Sequence, residues 1–287
     1  MITVVCILYN SDHLIEKFLD QIKKNKKIEK VIFFDNSKKI NHSINSNVQI
    51  IGTGENLGYG GAINKAVSYA KSEWILVANP DLIIHENNLD ETRLSKKTIY
   101  APILILNKNK IYGYHFPNIF SDALLMSIFR YLKPFKKIVD RKRITNEEKF
   151  PKRWLQMGAL ILIPKYFFDK YEGFNEKYFL FFEEQDLYSR AINNGFEIKS
   201  AHFLSFENLS NSSENDVSAI KAFAEMDSFK KYYKDNKYFM IVIYLMRFFI
   251  TLHFIIAKII SKFIKIEKIS KRLKFLDYQL KGLKNKK

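Results

Sequence analysis

The sequence has 287 residues but a single cysteine, Cys6, which excludes an intramolecular disulfide framework. Cys6 lies in an apolar run, so we expect it to be buried in a strand of a protein from a reducing compartment. The start of the sequence lacks a basic segment, a long apolar segment and a small-residue cleavage site. We therefore expect no cleaved secretory signal and predict a cytoplasmic protein.

Two common phosphate-binding patterns are also missing. The glycine-rich stretch of residues 52–61 has no third glycine in the dinucleotide-binding spacing, and no Gly-Lys-Ser or Gly-Lys-Thr follows it. The stretch nevertheless follows an apolar strand and precedes a helix, as phosphate-binding turns do. Taken alone, it is compatible with such a turn or with a flexible loop whose glycines open the helix.

Acidic residues are the scarcer charge, because 30 Asp and Glu stand against 47 Lys and Arg, a formal net charge of +17. Residues 221–287 contain 17 Lys and Arg and 5 Asp and Glu, a difference of +12. The surplus thus lies beside apolar segments, and no recognised DNA- or RNA-binding motif occurs. A nucleic-acid partner is not expected.

Short apolar runs rich in Val, Ile and Phe predict strands that are buried on both faces. They comprise residues 2–8, 31–34 and 74–78. Apolar residues at spacings of three and four predict a helix over residues 14–22, capped by Ser11 or Asp12, and residues 61–69 predict another. The alternation of strands and helices along the chain predicts an α/β fold with a mostly parallel central sheet and helices on both faces. In such a fold, ligands bind at the carboxyl ends of the strands.

The second half of the chain predicts a further buried strand at residues 158–163 and a helix at residues 185–193. Residues 107–153 are basic and aromatic without a clean period, which indicates an insertion or an acceptor-side region. We expect an α/β domain over residues 1–220 and a tail of basic amphipathic helices over residues 221–287.

Residues 238–265 form a long apolar run in which polar residues make a narrow helical stripe, with His253 lying off it. The stripe comprises Arg247, Thr251, Lys258, Lys262 and Lys265. This pattern is typical of a helix that lies in the plane of an anionic membrane surface. An amphipathic helix packed on the protein and a true membrane span are the alternatives.

Carboxylates occur where predicted strands end. Asp35 follows the second strand, where it can contact a ribose or a base, or form an Asx turn. Asp81 ends Asn79-Pro80-Asp81 after the third strand, where one carboxylate and phosphate oxygens can hold Mg²⁺ or Mn²⁺. A plain strand-to-turn junction is the alternative for Asp81.

Three more carboxylates, Glu183, Glu184 and Asp186, follow the aromatic run of residues 178–182. Desolvation by an apolar wall raises the pKa of a carboxyl group in general, which prepares a base that works near neutral pH. Acids also favour the first turn of a helix, and this alternative explains Asp186 more easily than the adjacent pair.

Taken in order, these segments are similar to the characteristic blocks of one family. They are an opening strand at residues 3–11, a turn at residues 35–37, an Asn-x-Gly box at residues 56–64, Asn79-Pro80-Asp81 and a strand-and-loop block at residues 158–176. The last is residues 181–190, which resemble the segment Glu-Asp-x-Asp-Leu-x-x-Arg. The chain resembles the inverting family 2 glycosyltransferases, most closely the bacterial rhamnosyltransferase-like branch that builds surface polysaccharides. The match covers roughly residues 2–213, with a gap in the middle.

The resemblance implies a glycosyltransferase A type domain that moves rhamnose or another hexose from a nucleotide diphosphate sugar to a lipid-linked or saccharide acceptor. It implies Glu184 as the base, Glu183 and Asp186 as its acidic neighbours, and Asp81 as the ligand of Mg²⁺ or Mn²⁺. The residues expected to bind the donor are Leu8, Tyr9, Asn10, Asp35, Asn56, Gly58, Tyr59, Asn64 and Asn79, and those on the acceptor side are Trp154 and Gly158.

Two positions depart from the family pattern. Glu184 stands where the family usually has Asp, so its carboxylate reaches one methylene further. Asn208, preceded by Glu207, stands where the family commonly has a metal-binding histidine. Either residue could supply an oxygen, His202 could approach instead, or the metal could depend on Asp81 and phosphate alone.

A lipid-linked acceptor and a basic amphipathic tail are mutually consistent expectations. The tail would hold the protein peripherally on the inner face of the plasma membrane, where such an acceptor is presented. The alternative function is a catalytically silent, glycosyltransferase-like protein that binds an anionic membrane surface.

Overall fold

The computed structural model describes residues 1–23, 25–89, 94–126, 143–146, 150–151, 153–156, 158–208, 219–263 and 267–284. They form two compact units. The α/β unit spans residues 1–116, 143–179 and 183–211, and the helical unit spans residues 117–142, 180–182 and 212–287. Much of the predicted insertion, residues 127–142, lies outside the described residues, as does Lys265 of the predicted polar stripe.

The α/β unit contains a large sheet and a small one. The strands are β1 (Ile2–Leu8), β2 (Ile28–Asp35), β3 (Lys39–Asn45), β4 (Val48–Thr53), β5 (Trp74–Ala78), β6 (Leu82–Asn87), β7 (Thr98–Leu106), β8 (Asn109–Ile111), β9 (Gly113–His115), β10 (Arg143–Ile144), β11 (Trp154–Leu155), β12 (Leu160–Pro164) and β13 (Glu197–Asn208). The large sheet has the order β3-β4-β2-β1-β5-β12-β7-β13-β6, with β8 paired to β7. The small sheet has the order β10-β9-β11.

The large sheet confirms the predicted α/β fold, and it is mixed in direction. Strands β4, β2, β1 and β5 run parallel, whereas β12 runs antiparallel to β5 and β7. The edge strands β3 and β6 run antiparallel to their neighbours. Every residue of β1, β5 and β12 is buried, Cys6 included, as expected of strands covered on both faces.

Eight α-helices are described. They are α1 (Ile15–Ile22), α2 (Gly58–Val67), α3 (Ile119–Met126), α4 (Lys165–Tyr171), α5 (Glu183–Asn193), α6 (Ala219–Tyr233), α7 (Phe239–Phe263) and α8 (Glu267–Lys284). The predicted cap at Ser11 is wrong, because its hydroxyl accepts a hydrogen bond from the Tyr9 N–H at 3.2 Å instead. Helices α2 and α5 begin earlier than predicted, so Gly58 and Glu183 lie in their first turns.

The helical unit has its own core. The Tyr233 hydroxyl donates to the buried Asp122 carboxylate at 2.8 Å, which joins α6 to α3. Residues 180–182 belong to this unit, because Phe182 packs against the rings of Phe229 and Tyr233. The unit therefore includes α3 and residues 180–182 in addition to the predicted tail of residues 221–287.

Helix α7 presents two different faces. Judged by length and composition alone, its segment Phe239–Lys262 is long enough and apolar enough to cross a membrane. One face is buried in the helical unit and includes Val242, Met246 and Ile250. The other face exposes large apolar side chains, namely Met240, Ile241, Tyr244, Leu245, Phe248, Leu252, Ile255, Ile256, Ile259 and Ile260.

Candidate active site

The candidate site lies at the edge of the large sheet where β1, β2 and β5 end. The strand register pairs Leu8 with Asp35 and Cys6 with Ala78, so the turns after these strands share one edge. Ligands of α/β sheets bind at the carboxyl ends of parallel strands, where the loops converge. The predicted donor and metal segments therefore come together here.

The ends of β1 and β2 supply both exposed and buried residues. Tyr9 and Asn10 are exposed, whereas Leu8 is fully buried. Asp35 is also buried, and its Oδ1 accepts hydrogen bonds from the Ser37 N–H at 2.8 Å and the Ser37 hydroxyl at 2.6 Å. An Asx-type turn is thus present, and the nucleotide contact of Asp35 stays a prediction.

Asn36 is a site residue that the sequence reasoning did not single out. Its Nδ2 donates to the Gly58 carbonyl and its Oδ1 accepts from the Leu57 N–H, both at 2.9 Å. Its own N–H donates to the Leu8 carbonyl at 2.8 Å. Buried Asn36 thus joins the glycine-rich turn, through its side chain, to the end of β1, through its backbone N–H.

Gly58 allows the glycine-rich turn to approach the chain before α5. It has a φ of +73°, and a Cβ there would lie 2.2 Å from the Phe179 carbonyl oxygen. The Tyr59 N–H donates to that carbonyl at 3.0 Å, and the Asn56 Oδ1 accepts from the Gly58 N–H at 3.0 Å. Asn56 and Gly58 therefore shape the turn, and their donor contacts stay predictions.

Asn64 points to the loop after α4. Its Oδ1 accepts from the Phe174 N–H at 2.9 Å, and its Nδ2 donates to the Phe174 carbonyl at 2.8 Å and to the Glu176 Oε1 at 3.0 Å. These bonds give Asn64 a structural role, and its predicted contact with the donor is untested.

The Tyr59 hydroxyl contacts both Asn79 and Gly158. Its hydroxyl oxygen is 3.0 Å from the Asn79 Oδ1 and 2.9 Å from the Gly158 carbonyl oxygen. Burial raises the pKa of Tyr59 well above its usual value, and the carboxylates of Glu184 and Asp81 contribute in the same direction. Tyr59 is therefore a neutral hydroxyl near both carboxylates.

Glu184 lies in the first turn of α5, with one oxygen bound to the backbone. Its Oε1 accepts a hydrogen bond from the Gly158 N–H at 3.1 Å, and its side chain is half-buried. This bond orients the carboxylate, so the second oxygen can serve as a proton acceptor. The geometry is compatible with the predicted role of base.

Glu183 has a different environment from Glu184. It is 3% exposed, and burial, followed by the charge of Glu184, raises its pKa well above the usual value. Its Oε2 has no hydrogen-bond partner among the described residues. The neutral form of Glu183 is thus favoured, which leaves Glu184 as the better candidate for the base.

Asp186 takes part in a structural ion pair. Its Oδ2 accepts from the Arg190 Nε at 2.6 Å, and the same guanidinium donates to the carbonyls of Tyr171 and Gly173 at 2.8 and 2.6 Å. Asp186 therefore fixes the turn after α4 to α5 through Arg190. Direct participation in catalysis stays a prediction.

Trp154, predicted to lie on the acceptor side, is 6% exposed. It belongs to a small core with Ala101 and Ile144, and its ring centroid lies 4.5 Å from that of Phe150. The structure gives Trp154 a packing role, and a contact with the acceptor stays a prediction.

The segment that carries Asp35 and Asp81 is similar to a known protein family. Residues 3–93 match the family model described as Glycosyl transferase family 2. This part of the chain is similar to the family 2 glycosyltransferases. The resemblance predicted from the order of the motifs is therefore confirmed, with Glu184 lying outside the matched residues.

Two curated relatives match a longer part of the chain. Both are described as N-acetylglucosaminyl-diphospho-decaprenol L-rhamnosyltransferase, from two strains of Mycobacterium tuberculosis, CDC 1551 / Oshkosh and ATCC 25618 / H37Rv. Each is 25% identical over 164 residues, which is 50% of this chain and 53% of the relative. The chain thus matches about half the length of these relatives.

Two solved structures share the fold of this chain over a longer range than residues 3–93. GalNAc-T7, solved with UDP, GalNAc and Mn²⁺, has a TM-score of 0.53 at 11% identity, covering 81% of this chain and 49% of that one. The mannosyltransferase PcManGT from Pyrobaculum calidifontis, solved with GDP-Man and Mn²⁺, has a TM-score of 0.50 at 11% identity, covering 98% and 85%. The glycosyltransferase A type fold is confirmed.

The residues around Asp81 show what kind of metal site the matched segment, residues 3–93, can form. Among the described residues, no group of three or more His, Cys, Asp or Glu side chains could hold a metal ion. Asp81 lies three residues beyond Ala78, the last residue of β5. Burial, and after it the charge of Asp81, raises the pKa of the Cys6 thiol. One carboxylate fits Mg²⁺ or Mn²⁺ only when substrate phosphates complete the coordination.

The predicted second ligands have separate surroundings. The Glu207 Oε2 lies 3.4 Å from the His85 Nε2, so Glu207 already has a partner. Asn208 pairs with Leu82 in the register of β13 and β6, next to Asp81 in the sequence. His202 packs near Tyr112, and Asn208 lies six positions further along β13, about 20 Å at the usual rise. Of the three, Asn208 has the most suitable backbone position.

Gly158→Ala is expected to lower kcat by about 100-fold, because a displacement near 1 Å at a reacting group costs that much. A Cβ at this position would lie 2.3 Å from the Glu184 Cγ and 2.6 Å from its Oε1. Glu184 must therefore move from its present position. Steady-state kinetics with saturating donor and acceptor will measure the change.

Gly195→Ala is the matched control for this substitution. Gly195 has a φ of +77°, so alanine introduces backbone strain, but nothing lies within 4 Å of the added Cβ. We expect a lower melting temperature and an unchanged kcat per folded molecule. Equal kcat values in Gly158→Ala and the wild type would contradict the contact between Gly158 and Glu184.

Proposed function

We propose that this chain is an inverting glycosyltransferase that moves a sugar from a nucleoside diphosphate sugar to an acceptor hydroxyl. The observation that supports it most is the position of Glu184. The Gly158 N–H holds one of its oxygens, and the carbonyl of the same glycine lies 2.9 Å from the Tyr59 hydroxyl. Asp81 follows the carboxyl end of β5, two residues after Asn79, whose Oδ1 lies 3.0 Å from the same hydroxyl. The two carboxylates can therefore serve opposite sides of one transfer reaction.

The chemical steps follow from these positions. Glu184 takes the proton from the acceptor hydroxyl while that oxygen forms a bond to the anomeric carbon. The bond between this carbon and the diphosphate breaks with its electron pair, and the configuration inverts. Asp81 and the oxygens of the diphosphate would hold Mg²⁺ or Mn²⁺, which would supply positive charge next to the leaving group.

The sugar and the acceptor are inferred from relatives. The mycobacterial relatives are named for rhamnosyl transfer to N-acetylglucosaminyl-diphospho-decaprenol, which supports rhamnose as the sugar and a lipid diphosphate as the carrier. Another hexose and an oligosaccharide acceptor are the alternatives. We place the reaction in bacterial surface polysaccharide synthesis, on the cytoplasmic side of the membrane.

A panel of nucleoside diphosphate sugars tests the proposal. The purified full chain should transfer one sugar to a prenyl-diphosphate saccharide in the presence of Mg²⁺ or Mn²⁺, and product analysis should show an inverted anomeric centre. Donor binding without transfer on any acceptor would favour the catalytically silent relative. A retained configuration would refute the single displacement.

Helix α7 supports a second part of the proposal, namely docking on an anionic membrane surface. At 100° per residue, Lys258 and Lys262 lie at one edge of the exposed apolar face, where lysine side chains can reach lipid head groups. Arg247 of the predicted stripe is oriented differently, because its guanidinium donates to the Leu283 carbonyl of α8. The exposed face therefore presents apolar side chains with a basic margin.

We expect the double substitution Ile255→Asp and Ile259→Asp to reduce binding to phosphatidylglycerol vesicles by at least about 100-fold, since two inserted apolar side chains are lost. Both isoleucines are about half exposed, at 48% and 52%, so the fold should tolerate the change. Vesicle co-sedimentation of the full chain measures the effect.

Ile44→Asp is the control for this experiment, because Ile44 is 46% exposed on the edge strand β3 of the other unit. It should bind vesicles as the wild type does. Unchanged binding of the double variant would exclude docking through α7. Release of the wild-type chain by high salt supports a peripheral helix, whereas resistance to salt and alkali would indicate a span.

A further inference from the structure

The turn that contains Gly158 is held by hydrogen bonds from three separate parts of the chain. The Tyr59 hydroxyl lies 2.9 Å from the Gly158 carbonyl oxygen, and the Asn79 N–H donates to the Ala159 carbonyl at 2.8 Å. The Gly158 N–H donates to the Glu184 Oε1 at 3.1 Å. Any shift of this turn therefore moves the atom that orients Glu184.

The same tyrosine also holds the turn that carries Asp81. Its oxygen is 3.0 Å from the Asn79 amide, two residues before Asp81. A tyrosine hydroxyl has one proton, which it can give to the Gly158 carbonyl. The Asn79 amide, rotated by 180°, then presents Nδ2 as a donor to the tyrosine oxygen, and both contacts are satisfied.

From these contacts we infer that Tyr59 is a positioning residue that sets the spacing between Asp81 and Glu184. It acts through Asn79 on one side and through Gly158 on the other, and it needs no contact with either substrate. This role differs from the donor contact expected from the sequence, and it rests on the proposed transfer reaction.

The packing of the Tyr59 ring makes the hydroxyl separately testable. The ring meets that of Phe174 edge to face, with centroids 6.3 Å apart. Phenylalanine keeps this contact and removes only the oxygen. The effect of Tyr59→Phe should therefore come from the two lost hydrogen bonds, not from a cavity.

Tyr59→Phe should lower kcat by about 10- to 100-fold, while the KM for the donor changes by less than about threefold, because the reacting groups are displaced without loss of binding contacts. Amide hydrogen exchange at Asn79 and Gly158 should become at least about tenfold faster, since both turns lose a restraint. Both measurements use the full chain, and exchange is read without substrates.

Tyr100→Phe is the matched control. Tyr100 is buried, its hydroxyl accepts one hydrogen bond from the Ser95 N–H at 2.9 Å, and it lies outside the site. We expect faster exchange at Ser95 and an unchanged kcat. A general loss of stability would instead lower the melting temperature of both variants and the kcat of neither per folded molecule.

Each outcome for Tyr59→Phe supports or overturns the inference. Faster exchange at Asn79 and Gly158 together with a lower kcat supports it. Unchanged exchange at these amides overturns it, as does faster exchange with a wild-type kcat. A wild-type chain that transfers no sugar refutes the proposed reaction, and with it the catalytic role of the spacing between Asp81 and Glu184. Amide hydrogen exchange at Asn79 and Gly158 still decides whether Tyr59 joins the two turns, because it is measured without substrates.

Discussion

Replacing Glu184 by glutamine should reduce kcat by about a thousand-fold, within the range measured when a general base is removed. The amide keeps the size of the side chain and an oxygen that can accept the Gly158 N–H. It has no basic oxygen at neutral pH, so the acceptor hydroxyl loses its proton acceptor. Single-turnover assays with saturating donor measure this step without product release.

Glu197→Gln is the control for this charge removal. Glu197 is exposed at the start of β13, where it pairs with Lys199 at 2.8 Å. Its replacement should leave kcat within about twofold of the wild type, as is usual for an exposed ion pair. Full activity in Glu184→Gln would exclude this residue as the base and return Glu183 and Asp186 to consideration.

Asp81→Asn should lower kcat/KM by about 100- to 1,000-fold, because the charge that develops on the diphosphate loses its stabilisation. We expect the concentration of Mn²⁺ or Mg²⁺ needed for half-maximal activity to rise in parallel. Titration of the metal at fixed donor concentration measures both changes. The backbone of β5 and its turn should be unaffected, since asparagine has nearly the same shape.

Asp20→Asn on α1 is the matched change at a distance from the site. Asp20 is exposed and pairs only with Lys23 in the described contacts, three residues later at the C-cap of α1. Its kinetics and metal dependence should match those of the wild type. An Asp81→Asn variant with the same metal requirement as the wild type would remove Asp81 from the proposed metal site.

The sequence predicted the sheet edge well, for a simple physical reason. Strands buried on both faces appear as unbroken apolar runs, so β1 and β5 are visible in the sequence. The polar residues that follow must lie where the strands end. The position of Asp81 after β5 required no further information.

The inward-facing polar residues were less predictable, because their partners are distant in the sequence. Asn64 bonds to Phe174, 110 residues away, and Tyr59 bonds to Gly158, 99 residues away. Nothing in the local sequence distinguishes an amide that binds a ligand from one that binds another loop. Both residues were assigned to the donor from motif position alone.

Helix α7 illustrates a related limit. The helical wheel grouped Arg247 with the lysines, since all lie on one narrow stripe. In the structure the Arg247 guanidinium bonds to the Leu283 carbonyl of α8, so the edge of the stripe is already part of the helix packing. A sequence pattern gives the direction of a side chain, and the fold decides what lies there.

The small sheet has a consequence for how this chain can vary. His115 of β9 pairs with Trp154 of β11, so the intervening segment leaves and returns side by side. Because the ends of this segment already meet, closing it costs little conformational entropy. Each doubling of its length adds only about 0.6 kcal/mol to the free-energy cost of closure. The parts of this segment outside α3 and β10 can therefore change in length while β12 keeps its register beside β5. If this segment contacts the acceptor, as the sequence predicts, acceptor preference can change between related chains while Asp81 and Glu184 keep their positions.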